Sequence, residues 1–209
     1  MRFRVTFSKT GPLIYIGNLD LLTIWERAAR RAGLALQYSK GFHPQPKIQF
    51  AAPLPLGFSS RCEVVDMRLN DDLDCAAVAD RLQAVLPTGL TIHGVETVDP
   101  SVPALATLVT AGKYEITLSE AIDTAQLQDR VKALLAESSL PRERRGKSYD
   151  LRPLIEALEV VENPGDSSPG LRMQLKAIQG ATGRPDEVLE ALNLERIHAH
   201  IERTALIFG

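Results

Sequence analysis

The chain has 209 residues, enough for one large domain or two small ones, and ample for a core. Its composition is ordinary for a globular protein, 44% hydrophobic and 24% charged, and a net charge of −2 does not by itself announce a nucleic-acid binder. Two cysteines, Cys62 and Cys75, exclude a disulfide framework. With no signal peptide and no long apolar run, a soluble cytoplasmic protein without membrane contact is expected.

Charge is unevenly distributed. Residues 1–50 hold eight Lys/Arg and two Asp/Glu, and residues 51–100 hold three Lys/Arg and eight Asp/Glu. The N-terminal part is therefore a candidate anion-facing surface.

In chain order, residues 1–8 read as a strand, because Phe3, Val5 and Phe7 alternate with Arg4, Thr6 and Ser8. Residues 8–12 read as a turn. A helix is predicted over 18–32, with Leu22, Trp25, Ala29 and Ala32 on one face, Asn18 or Asp20 as cap and Gly33 at the C-terminal end. Arg30 and Arg31 suit the negative end of its dipole. Strand character follows in 34–38 and 47–51. A clearer strand is 63–69, with Val65, Met67 and Leu69 on one face. A helix over 74–86 stops at Pro87, and 90–98 is a strand. The order is β-α-β-β-α-β.

Residues 100–112, with Pro100, Pro103 and several small side chains, read as a linker. The same order then recurs. Strand 113–118 is followed by helix 123–136 and by a region, 140–161, with at least one strand and a short helix near 154–158. A turn at 163–170, strand 171–178, a helix opened by Arg184-Pro185-Asp186, and strand 196–208 complete it. The expected fold is α+β: two tandem ferredoxin-like units with antiparallel sheets, 1–99 and 113–209, joined by a linker at 100–112. This rests on element order, since the halves share no evident sequence identity.

Residues 37–57 stand apart. Pro44, Pro46, Pro53 and Pro55 stiffen the segment, while Tyr38, Phe42, Ile48 and Phe50 are large and apolar. Lys40, His43 and Lys47 are set among them. A rigid loop presenting cations beside aromatics has the make-up of a site. Ser8-Lys9-Thr10-Gly11 and Ser39-Lys40-Gly41 are both Gly-containing turns, where backbone N–H groups can converge on phosphate. Lys9, Lys40, His43 and Lys47 thus form one candidate phosphate or RNA-backbone site; the alternative is lysines solvated in turns. The densest basic run, Arg142, Arg144, Arg145 and Lys147, followed by Arg152, forms a second, with Tyr149 placed to stack on a base. Against this, such runs often occupy an exposed loop without a partner.

Catalytic signals are weak. His43 as a general base in RNA cleavage is a minor alternative. His198, His200 and Glu202 share a strand face, but no further ligand has the right spacing, so no metal is expected. No P-loop, dinucleotide fingerprint, nucleophile elbow or iron–sulfur cysteine set is present. No cofactor is expected. Val64, Asp66 and Arg68 at the outward positions of strand 63–69 argue against stacking on the sheet face.

Several motifs carry a resemblance: Phe7-Ser-Lys-Thr-Gly-Pro-Leu13, Asn18-Leu-Asp-Leu21, Glu26-Arg-Ala-Ala-Arg-Arg-Ala-Gly33 and the run from Tyr38-Ser-Lys-Gly-Phe-His-Pro to Pro-Leu-Pro-Leu-Gly57. With Asp150-Leu-Arg-Pro-Leu-Ile155, Arg184-Pro-Asp-Glu-Val-Leu189 and Arg203-Thr204, they resemble the bacterial radical SAM-linked protein family across essentially the whole chain. Asn18 stands where that pattern has His or Ser. The resemblance implies a domain of unknown function, separate from or joined to the C-terminal side of a radical SAM protein. It also implies genes often near an E/G-type ribonuclease and ribosomal protein genes, and no established catalytic residues. A fainter likeness, of fold only, is to CRISPR repeat-processing endoribonucleases, which are also tandem ferredoxin-like. The resulting expectation is a non-catalytic RNA-binding or substrate-presenting module, in contact with tRNA or rRNA, working beside a radical SAM enzyme. The alternatives are a protein–protein adaptor docking on that enzyme and a metal-independent endoribonuclease.

Overall fold

A computed structural model describes the chain except for residues 121, 145, 164–167 and 179. It divides into two compact units, Met1–Val109 and Thr110–Gly209.

The first unit contains β1 (Arg2–Lys9), a 3-10 helix (Gly11–Tyr15), α1 (Asn18–Arg31), β2 (Ile48–Phe50), β3 (Ser59–Arg68), α2 (Cys75–Gln83), β4 (Leu90–Thr97) and the one-turn α3 (Leu105–Leu108). Its strands pair antiparallel in the order β2-β3-β1-β4. Alternation on β1 and β3 sends Phe3, Val5, Phe7, Val65 and Met67 to one face, where they pack with Leu21, Trp25, Ala28 and Ala29 of α1 and Val78 and Leu82 of α2. Phe7 and Trp25 meet edge to face at 4.8 Å between centroids.

Helix ends explain the boundaries. α1 begins at Gly17 with no side-chain cap, so the expected Asn18 or Asp20 cap is not formed; Gly17 is the N-cap, and its carbonyl accepts the Leu21 N–H. At the other end Gly33 adopts φ +68° and the Leu34 N–H reaches the Ala29 carbonyl at 2.9 Å, the closure expected of a glycine there. Asp74 Oδ1 accepts the Ala77 N–H at 2.8 Å and caps α2, a contact worth about 1 kcal/mol.

Two expectations are corrected in this unit. Lys9 belongs to β1 and not to a turn. The strand expected over 34–38 is reduced to single bridges at Leu36 and Tyr38. The stretch 100–112 carries α3 and the start of the next strand. Its Val102 and Pro103 carbonyls accept from the buried Arg2 guanidinium at 2.8 and 2.9 Å, and the division between the two units falls within it.

The second unit contains β5 (Val109–Leu118), α4 (Thr124–Ala136), a hairpin of β6 (Pro141–Arg144) and β7 (Lys147–Asp150), a 3-10 turn (Arg152–Leu154), β8 (Ile155–Glu162), β9 (Pro169–Ile178), the two-residue β10 (Ala181–Thr182), α5 (Pro185–Ala191) and β11 (Ala199–Phe208). β8 and β10 flank β9, β9 pairs with β5, and β5 neighbours β11. Tyr114, Ile116, Leu127, Val131, Leu171, Met173 and Val188 are buried. The short helix expected near 154–158 is instead the 3-10 turn, and the backbone becomes extended at Ile155, where β8 begins. The turn expected at 163–170 falls largely outside the described residues. Among the described residues no helix is long and apolar enough to cross a membrane. The whole is a mixed α+β structure, mostly antiparallel, with five α-helices among the described residues.

Candidate nucleic-acid interface

The Pro-rich segment folds into a small ribbon. The Gln37 N–H donates to the Arg68 carbonyl, the Lys47 N–H to the Gln37 carbonyl and the Ser39 N–H to the Gln45 carbonyl, each at 2.8 Å. The Gln45 N–H returns to Ser39 Oγ at 2.9 Å. These bonds close a tip made of Lys40, Gly41, Phe42, His43 and Pro44. Gly41 sits at φ +135°, a conformation that favours glycine. The Tyr38 hydroxyl donates to Glu26 Oε1 at 3.1 Å and ties the ribbon to α1. Loss of hydration, and then the Glu26 carboxylate, raise the Tyr38 pKa above its ordinary value.

The tip presents an apolar ring to solvent. Phe42 is fully exposed, flanked by the exposed Lys40 and His43. An isolated Phe at complete exposure loses its transfer free energy, about 1.5–3 kcal/mol relative to a buried one, unless something covers it.

Beneath the ribbon, register sets a row of cations. The Arg68 N–H donates to the Lys47 carbonyl at 3.0 Å, and Ile48 pairs with Met67, so Lys47 lies opposite Arg68. Arg68 in turn pairs with Arg2 on β1. The row Lys47–Arg68–Arg2 therefore crosses three strands on the face opposite Phe3, Val65 and Met67. It borders a cleft of about 390 Å³ that Gln49, Asp66 and Val102 also line.

The three cations are not equivalent. Arg2 is anchored on buried Asp66 through Nε and Nη2 at 2.9 and 2.6 Å, and Arg4 binds the same carboxylate at 2.9 and 3.1 Å. Two guanidiniums already neutralise Asp66. Lys47 and Arg68 make no ion pair among the described residues, and like charges directly opposite on neighbouring strands repel. An anion seated between them would relieve that repulsion.

The other sequence candidates are distributed differently. Lys9 is 1% exposed and its Nζ donates to the Ile16 carbonyl at 3.0 Å. It is in the core and does not join Lys40, His43 and Lys47. Arg142, Arg144 and Lys147 lie on the β6–β7 hairpin of the second unit; Arg145 is outside the described residues. Arg144 stacks over the Tyr149 ring at 4.9 Å, donates to the Thr182 carbonyl at 2.9 Å and stands 3.6 Å from Glu187. Tyr149 is thus already covered on one face. Its phenol is pushed up to about 12, first by burial and then by the neighbouring Glu187 carboxylate, although neither its hydroxyl nor Glu187 Oε2 reaches hydrogen-bond geometry. Lys147 is exposed, and Arg142 is half-buried with Nη1 on the Pro141 carbonyl. Arg152 clamps the end of α4 through the Leu135 carbonyl at 2.9 Å. His43 is oriented by no hydrogen bond among the described residues, and among them no group of three or more His, Cys, Asp or Glu could hold a metal ion.

Arg2 and Arg68 were not singled out as site residues from sequence. Their signal was their alternation with Phe3 and Met67, which puts both on the outward face. Their meeting with Lys47 depends on strand register.

These features define a mixed α+β protein whose first unit exposes two neighbouring cations, Lys47 and Arg68, and an aromatic loop tip. The chain belongs to the bacterial family described as "Uncharacterized protein conserved in bacteria (DUF2344)", whose model matches residues 2–185. A search of curated proteins returns no match. Among solved structures, the chain is similar over 98% of its length to a chain of the "Crystal Structure of a Cbf5-Nop10-Gar1 Complex", at 12% identity and a TM-score of 0.49, and spans 48% of that chain.

Proposed function

We propose that this protein is a non-catalytic RNA-binding or substrate-presenting module acting beside a radical SAM enzyme on RNA or a ribosomal component. The observation that carries the RNA part is the fully exposed Phe42 at a stiff loop tip, between Lys40 and His43, on a ribbon whose base holds Lys47 and Arg68, neither in an ion pair among the described residues. A base stacks on Phe42, and the cations hold the adjoining phosphates. Arg142 and Lys147 give the second unit a further basic patch. The radical SAM partner rests on the sequence resemblance alone, and that partner supplies the cluster and cofactor.

The finer fold reading, two ferredoxin-like units, is part of the proposal. It is supported by the β-α-β-β-α-β order of the first unit, by the same order in the second once the β6–β7 hairpin and β10 are set aside, and by the strand orders β2-β3-β1-β4 and β8-β9-β5-β11.

The test is binding of the purified protein to total tRNA and rRNA across a salt series, with Lys40→Glu/Lys47→Glu as control. Binding that weakens with salt and is lost in the double variant is expected. A flat salt response, or full binding by the variant, refutes the electrostatic reading.

A second reading has its own observation. Tyr15, Leu19 and Leu56 are 73%, 78% and 62% exposed, and the Gly57 N–H on the Ile14 carbonyl at 2.9 Å brings the segment after Leu56 beside Tyr15. An adaptor docking by this apolar surface predicts co-purification with the radical SAM protein, unaffected by ribonuclease and by the lysine reversals.

A further inference from the structure

α1 carries a second basic surface. Ile24, Arg27 and Arg31 follow at i, i+3 and i+7 and so share one helix face, with Arg30 beside them. Together with Leu13 of the 3-10 helix and Pro87 they line a cleft of about 360 Å³. Its apolar lining, Leu13, Ile24 and Pro87, is half-buried and forms the floor, and the three exposed arginines stand around it. None of the three makes an ion pair among the described residues. Arg31 Nη2 donates to the Val85 carbonyl at 2.9 Å, which fixes one wall.

The helix dipole accounts for part of this arrangement, since cations at a helix C-terminus are favoured. It does not account for three like charges spaced at i, i+3 and i+4, which repel. Nor does it account for the apolar floor between them. An arginine rim over an apolar floor matches a ligand with one anionic end and one flat apolar end. The cleft also adjoins the loop already described. Glu26 of α1 accepts from Tyr38, and Arg30 is near enough for its charge to act on the Tyr38 phenol.

We propose that this cleft seats one nucleotide of a single-stranded RNA. The phosphate lies on Arg27, Arg30 and Arg31, and the base lies against Leu13, Ile24 and Pro87. This inference rests on the RNA-binding reading and extends it: the strand runs from the Phe42 tip, past Tyr38, onto α1. A base within a duplex could not reach the floor, so the ligand is single-stranded there.

The experiment uses the full chain and a fluorescent single-stranded oligoribonucleotide of about 12 nucleotides, within the span of single-strand sites. Arg27→Gln/Arg30→Gln is compared with wild type across a salt series. Both side chains are exposed and neither makes a hydrogen bond among the described residues, and an unchanged melting curve verifies folding. The expected result is a several-fold loss of affinity and a log–log salt slope shallower by up to about 0.7, the value for one phosphate contact on a single strand. A duplex of equal length should bind more weakly and lose less. Wild-type affinity and slope in the arginine variant, with binding still lost in Lys40→Glu/Lys47→Glu, overturns the cleft and leaves the RNA reading standing. Equal losses on duplex and single strand overturn the base-in-cleft assignment. No oligonucleotide binding by wild type at low salt overturns both.

Discussion

Asp66→Asn tests how far the cationic row depends on its buried counter-charge. The Asp66 side chain is 5% exposed, and those of Arg2 and Arg4 are 7% and 17% exposed. Asn keeps the volume and one acceptor but turns an amide NH₂ towards a guanidinium. Arg4 has a fallback, because the solvent-exposed Glu96 lies 4.0 Å away. Arg2 has none: its remaining donors are fixed on the Val102 and Pro103 carbonyls. Removing one partner of a buried pair costs about 3–5 kcal/mol, and the relief available to Arg4 favours the lower end. At roughly 4–8 °C per kcal/mol, a loss of about 3 kcal/mol lowers the unfolding midpoint of the first unit by roughly 12–24 °C. Circular dichroism or calorimetric melting measures this. Arg2→Met/Asp66→Met removes the stranded Arg2 charge and should recover only part of the loss, because Arg4 keeps its charge with Glu96 at 4.0 Å and the Val102 and Pro103 carbonyls lose their donor. Oligonucleotide affinity should not fall, since Asp66 is the one carboxylate lining that cleft. A shift below about 1 kcal/mol would refute the reasoning and equate this pair with a solvent-screened surface contact.

Other consequences are as direct. Phe42→Ala should leave melting unchanged, since a fully exposed ring contributes little packing, while RNA affinity falls by about 1–3 kcal/mol, the worth of one stacked base; unchanged affinity would remove Phe42 from the interface. Lys9→Ala should do the reverse, lowering stability by about 2 kcal/mol or more through the lost buried contact to Ile16 and leaving the salt slope of RNA binding untouched. Tyr149 has a folded pKa of about 12, above the ordinary value of 10.0, so its contribution is fully present below about pH 10 and is lost as pH rises towards 12. Tyr149→Phe should flatten that alkaline fall and, because the hydroxyl lacks a hydrogen-bond partner, cost little stability at neutral pH; a steep fall that survives in the variant assigns it to another group.

The parts of the fold read correctly from sequence are those where one periodicity dominates. Phe3-Val5-Phe7, Val65-Met67-Leu69 and Leu171-Met173-Leu175 alternate and form strands with those residues buried. The helix at 18–32 is found within a residue, because Gly33 marks its end. The β6–β7 hairpin was missed: its strands are four residues each and largely charged, and the clearest signal is Gly146, which sits at φ +73°. Lys9 was misplaced for a different reason. The alternation that buries Phe3, Val5 and Phe7, continued by one step, puts Lys9 on the core face, but its Gly-containing surroundings read as a turn. β1 in fact stays regular there, while its partners take up the irregularity: Phe7 to Lys9 spans two residues, but Glu63 to Ser60 spans three. The cationic row was out of reach for a third reason. Lys47, Arg68 and Arg2 are far apart in sequence, and antiparallel register alone makes them neighbours.

The two basic loops occupy the same place in the chain's grammar. In each unit they fall between the first helix and the second strand of the β-α-β-β-α-β series: the Tyr38–Pro46 ribbon precedes β2, and the β6–β7 hairpin precedes β8. That connection contributes no strand to the order β2-β3-β1-β4 or β8-β9-β5-β11, so its length and charge can change while the sheets keep their pairings. One connection carries the bare aromatic tip Phe42, and the other folds its aromatic, Tyr149, beneath Arg144. A chain built this way can diversify what it holds without renegotiating how it folds.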